Sequence, residues 1–205
     1  MKHRSCIMVN AVILSAFALV SSSCIAAVIV SYDFNSDTQG WAANGVNGFA
    51  ASGGYLIGTA SINDPQLLKT PANITISSSQ TWSTVVFRVR ELDDSSGKYI
   101  GSAGAPAFSP VGMVVQFNST ALTSGFTVVS SGDDFHTITC DISSIVDKTI
   151  ANFRLDPIGG ALSNSGSDTT GNSFEVDFIQ VNAVPEPGIA LLGSLGMLVL
   201  LRRRR

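Results

Sequence analysis

The sequence predicts an all-β protein: an antiparallel β-sandwich flanked by an N-terminal signal peptide and a C-terminal transmembrane helix. Three observations predict the sandwich. Short apolar runs of period two recur through the middle of the chain, clusters rich in Gly, Ser and Asn separate them, and no stretch there sustains a 3.6-residue apolar repeat. A sheet with one buried face produces that alternation. A parallel solenoid would need a fixed repeat, and the chain has none.

The strands are expected in this order. "VIVSYDF" at 28–34 opens the body, followed by "YLIGT" at 55–59 and "NITI" at 73–76. "WSTVVFRVRE" at 82–91 alternates most clearly, with Val85, Phe87 and Val89 on one face and Val86, Arg88 and Arg90 on the other. Then come "GMVVQF" at 112–117, "GFTVV" at 125–129, "FHTITCDI" at 135–142, "ANFRLDPI" at 151–158 and "SFEVDFIQV" at 173–181. The last run changes face: Phe174, Val176 and Phe178 share one side, Ile179 and Val181 the other. Either both faces are covered there, or a bulge shifts the register near Phe178. "NGVNGFAASGG", "DDSSGKYIGSAGAP" and "GGALSNSGSDTTGN" read as loops, because Gly, Ser and Asn supply turn geometry.

The two ends differ from the body. Lys2, His3 and Arg4 precede an apolar stretch at 7–20 and then small residues, "SSSCIAAV", the order of a signal peptide cleaved after Ala26 or Ala27. Cys24 leaves a lipoprotein reading open, although Ser21 stands where a leucine-like residue is expected. At the other end, residues 189–201 form an apolar run of 13, roughly 20 Å as a helix against a hydrocarbon core of about 30 Å. Extending it back to Val184 and letting the arginines snorkel makes a span. Arg202, Arg203, Arg204 and Arg205 then stay on the cytoplasmic side, with the body outside.

Pro185-Glu186-Pro187, the apolar run and the terminal arginine cluster together resemble the PEP-CTERM sorting signal of Gram-negative bacteria. The resemblance covers about a tenth of the chain. It implies export by the Sec machinery, a transient inner-membrane anchor and processing by an exosortase near the PEP motif. Delivery to the cell surface or an exopolysaccharide biofilm matrix would follow. The expected organisation is therefore a signal peptide at 1–27, a β-sandwich at 28–183 and a sorting signal at 184–205. Within the body, "YDFNSDTQGW", "GGYLIGTASINDPQL", "RLDP" and "VDFIQV" resemble, in that order, the jelly-roll sandwiches used as carbohydrate-binding modules. That likeness implies paired terminal strands and speaks to fold more than to ligand.

Charge and cysteine content narrow the function classes. Residues 28–183 hold six basic and 14 acidic side chains, a net charge of −8, which argues against a nucleic-acid partner. Cys140 is the one cysteine of the body, so the body alone can form neither a disulfide nor a cysteine zinc site, and a buried strand position is its simplest role.

Candidate sites follow from residue chemistry. Trp41, Trp82, Tyr55 and Tyr99 are natural platforms for a sugar ring; Trp41 also reads as a plug at the sandwich end, and Tyr99 sits in a Gly-rich segment. Arg88, Arg90 and Arg154 lie mid-strand on outward faces, with Asp156 and Glu175 as partners across the sheet, either as surface pairs or as the polar part of a ligand groove. Asp33 and Asp177 become neighbours if the terminal strands pair, and two carboxylates with nearby Gly53-Gly54 carbonyls would suit a structural Ca²⁺, as modules of the resembled type often hold; Asp177 as a plain solvated carboxylate is the alternative. No catalytic residue is assigned: His136 is the body's one histidine and reads as a strand-surface imidazole, and no Gly-x-Ser-x-Gly elbow occurs. The expected function is that of an exported, non-catalytic surface or matrix protein contacting exopolysaccharide. A structural or adhesive component without a specific glycan, and an extracellular glycan-cleaving enzyme, are the alternatives.

Overall fold

A computed structural model describes residues 25–103, 105, 107–158 and 169–186. Most of the expected signal peptide, Pro187 and the tail with its arginines lie outside them. Among the described residues, no helix is long and apolar enough to cross a membrane. One compact unit runs over Ala26–Val184.

The described residues form β1 (Ala27–Tyr32), β2 (Ala42–Asn44), β3 (Val46–Ser52), β4 (Tyr55–Ala60) and β5 (Gln66–Lys69). Next are β6 (Ile74–Thr75), β7 (Gln80–Asp93), β8 (Lys98–Tyr99), β9 (Val114–Phe117) and β10 (Thr120–Leu122). The last five are β11 (Phe126–Ser130), β12 (His136–Asp141), β13 (Thr149–Ile150), β14 (Phe153–Asp156) and β15 (Ser173–Pro185). The larger sheet runs β11-β12-β7-β15-β4-β3, with β1 on β15 and β8 on β7; the smaller runs β10-β9-β14-β5-β2, and β13 pairs with β6. The architecture is the all-β antiparallel sandwich that the alternating runs predict.

Alternation places the core. Val85, Phe87 and Val89 of β7 are fully buried and join Leu56, Ile138 and Val176 from neighbouring strands of the larger sheet. Leu67, Val115, Phe117, Phe153 and Leu155 supply the smaller sheet's side. Each such side chain contributes about 1.5–3 kcal/mol through burial. Trp41 plugs the assembly edge-on, its ring 5.0 Å from Phe153 and 5.5 Å from Tyr32. Cys140 is buried on β12, and burial pushes its thiol up to about 11, so it packs as a small hydrophobe.

Several expectations need correction. "NGVNGFAASGG" holds strand β3, because β4 supplies a ladder that Ala, Gly and Asn would not seek alone. β2, β5 and β10, of three or four residues, were too short to show a period. Tyr99 belongs to the two-residue strand β8, paired at Leu92 of β7. Trp82 is 1% exposed with its Nε1–H donated to the Asp147 carbonyl at 2.5 Å, so it has no open face for a sugar. The change of face in β15 falls where its edge partner changes: Ser173–Val176 pair with β4, while Ile179 onward pairs with β1.

Candidate functional site

The outward face of the smaller sheet carries a cleft of about 220 Å³. Register sets its floor, lining up Gln116 of β9, Arg154 of β14 and Leu68 of β5 in one row. Thr70, Asn118, Asn152 and Phe153 complete the lining. Arg154 donates to both oxygens of Asp156, at 2.7 and 2.5 Å, and from Nη2 to Asp64 at 3.0 Å. Asp156 is fully buried. Burial pushes its carboxyl up, the guanidinium opposes that, and Asp156 in turn holds Arg154 charged. One guanidinium set against two carboxyl groups leaves this part of the cleft without net positive charge.

Asn118 builds one wall. It adopts φ +51°, and its side-chain oxygen accepts from the Ala151 and Asn152 amides at 2.9 and 3.2 Å. Its amide nitrogen donates to the Thr149 carbonyl and Asp147, both at 3.1 Å, so the side chain is spent on holding the wall. Gln116 donates from Nε2 to the Asn118 carbonyl at 3.1 Å, and its Oε1 has no hydrogen-bond donor among the described residues. Asn152 is exposed and its side-chain amide has no partner among the described residues. Planar amides beside a fixed guanidinium and the half-buried Leu68 match a ligand rich in hydroxyl groups with apolar C–H faces.

The outward face of the larger sheet is built differently. Arg90 donates to Glu175 Oε2 from Nε at 3.0 Å and from Nη2 at 2.7 Å, and its guanidinium lies 4.6 Å from the Phe135 and Tyr99 rings. Arg88 pairs with Asp177 and Asp133 and stands 4.3 Å from the Phe135 ring. Phe135 is buried and stacks on Tyr55 at 5.4 Å. Hydrogen bonds from Ser131 and then Arg88 hold the Asp133 carboxyl down at about 2. These groups satisfy one another, so the cluster pins the 131–135 turn to the sheet.

The candidate residues therefore fall in separate places. Arg88, Arg90 and Tyr99 meet in the pinned cluster, Arg154 lies on the opposite sheet, and Trp82 is in the core. The terminal strands do pair, with Tyr32 opposite Ile179, yet Asp33 accepts from Gln39 Nε2 at 2.7 Å while Asp177 is held by Arg88. Among the described residues no three His, Cys, Asp or Glu side chains are grouped to hold a metal ion.

His136 is buried rather than on the surface. Its Nε2 lies 3.0 Å from the Ile100 carbonyl, and its Nδ1 lies 2.9 Å from Ser130 Oγ. A carbonyl only accepts, so Nε2 carries a proton and donates to Ile100, while Nδ1 and the Ser130 hydroxyl share the second hydrogen bond. Phe108 stacks on the ring at 3.9 Å. A second buried titratable group, Glu91, accepts from Asn172 Nδ2 at 2.7 Å through Oε1, while its Oε2 has no hydrogen-bond partner among the described residues. Burial pushes Glu91 up to about 7.

No family model, curated protein or solved structure matches the chain.

Proposed function

We propose that this chain is an exported, exosortase-processed, jelly-roll-like protein of the PEP-CTERM type that binds neutral exopolysaccharide at the cell surface or in the matrix, without catalysis. The address rests on the sequence of the two ends: a signal-peptide pattern in front, and Pro185-Glu186-Pro187 with its apolar run and arginines behind. The binding reading is carried by the cleft on the smaller sheet, where Gln116, Asn152 and Arg154 present amide and guanidinium groups from adjoining elements. A neutral polymer is favoured because the cleft offers no net positive charge and the body is acidic, so uronate chains would be repelled.

The test is affinity electrophoresis of the detergent-solubilised full chain through gels containing neutral or uronic-acid polysaccharide. Neutral polymer should retard the protein, and Gln116→Ala with Asn152→Ala should restore free migration while leaving the unfolding midpoint in place. Equal migration in all gels, or retardation that survives both substitutions, sinks this reading.

A further inference from the structure

A sheet edge exposes a row of backbone N–H and C=O groups that another strand can pair with, and proteins blunt such edges by short length, bulges, charge or proline. Among the described strands, nearly every free edge is blunted. β2 and β10 have three residues each, β8 has two, and β6 and β13 have two. β1 carries a register shift between Val28 and Val30. β3, at one end of the larger sheet, carries another between Asn47 and Ala50, where Gly48 takes φ +64°.

β11, at the other end, has none of these devices. Its five residues, FTVVS, keep unbroken register with β12 from Phe126 to Ser130. Val129 is 69% exposed. The strand lies in a stretch, residues 99–132, that contains no charged side chain, in a body whose net charge is otherwise strongly negative. Two copies of an acidic domain repel least where they meet through uncharged surface. A strand is also its own complement in antiparallel pairing: across a twofold axis residue i meets j and j meets i, and the assembly closes as a dimer.

We infer that β11 pairs antiparallel with β11 of a second copy of this chain, continuing the larger sheets of both copies across a twofold axis. Pairing centred on Val128, the middle of the strand, sets Thr127 opposite the other copy's Val129. The pairing does not depend on what the cleft binds. Where the cleft does hold polysaccharide, one dimer carries two clefts, and avidity follows from the second binding event being intramolecular.

Sedimentation of the detergent-solubilised full chain tests this, together with Val128→Cys oxidised in the same preparation and the parent chain, with its Cys6, Cys24 and Cys140, as background. Paired residues across an antiparallel ladder stand about 4.5–5.5 Å apart at Cα, within disulfide reach. A concentration-dependent dimer is expected, with a cross-linked dimer in Val128→Cys beyond the parent's background. Val129→Lys, at an exposed side chain, should weaken the dimer about tenfold or more without moving the unfolding midpoint. A parent chain that stays monomeric at every concentration overturns the inference, as does a Val129→Lys dimer of unchanged strength. An open ladder of higher oligomers also overturns it, because it would signal head-to-tail pairing of β11 with β3. Should Val128→Cys fail to fold, the Val129→Lys sedimentation decides alone.

Discussion

Asn172 donates a hydrogen bond to Glu91 at 2.7 Å in the interior, and the second oxygen of that carboxyl group meets no partner among the described residues. The same Asn172 accepts from the Asp94 amide through its side chain at 3.0 Å and from the Ala60 amide through its carbonyl at 2.8 Å. One residue thus joins β4, the end of β7 and the approach to β15, and a titratable group stands at the junction.

The junction makes stability pH-dependent. Burial first, and the charge of Asp93 second, raise Glu91 from 4.5 to about 7, against the opposing bond from Asn172. The folded state then keeps a proton that the unfolded chain has released. The stabilisation is full below the unfolded value and is lost as pH rises through about 7, an effect of about 3 kcal/mol. Urea unfolding at about pH 5 and about pH 8 should show that loss together with the one from Asp156, whose carboxyl burial also raises to about 7, and Glu91→Gln should reduce the total while leaving the Asp156 share. An unchanged slope in the variant would assign the pH dependence elsewhere.

Arg154→Ala should destabilise the protein by about 3 kcal/mol, because it strands the buried Asp156 carboxyl without its cation. Asp64→Asn removes the exposed partner of the same guanidinium and should cost under about 1 kcal/mol. Chemical denaturation of the two variants side by side reads the contrast.

Phe135→Ala should cost about 3 kcal/mol, since one ring supports Tyr55 and both guanidinium groups. Its second effect is local: amide exchange in the 131–135 turn should accelerate more than exchange in β7 or β12. A uniform acceleration would mean that the turn is held by something other than this ring.

Trp82→Phe removes the donor to the Asp147 carbonyl and should lower stability by about 2 kcal/mol. Retardation in polysaccharide gels should not change. A selective loss of retardation at unchanged stability would return Trp82 to the ligand site.

Gly101→Ala should cost about 2 kcal/mol or more. The residue has φ +87°, and a Cβ there would sit 2.7 Å from His136 Cε1. Thermal unfolding measures the loss, and the His136 ring signals should shift with it.

How far the sequence could be read depended on whether a feature was local. Val85, Phe87 and Val89 announce a half-buried strand because their period is written in consecutive residues, and β7 follows it. The face change near Phe178 was also visible, though its cause, the handover from β4 to β1, lies in distant strands. β3 was hidden because Gly48, Ala50 and Ala51 have little strand preference and pair only because β4 is beside them. His136 looked like a surface imidazole because its partners Ile100 and Ser130 are ordinary residues that the fold brings to its two nitrogens. Of the cleft, Arg154 is marked in the sequence as a charge in the middle of a strand. Gln116 and Asn152 belong to a site only once β9 and β14 lie side by side.

Ala27 stands opposite Ala183 on one rung between β1 and β15. The beginning and the end of the folded unit are therefore about 5 Å apart across that rung. Cutting at the expected positions near Ala27 and Pro185 would free two neighbouring threads from a single corner, and the domain would hang from that same corner whichever thread were severed first.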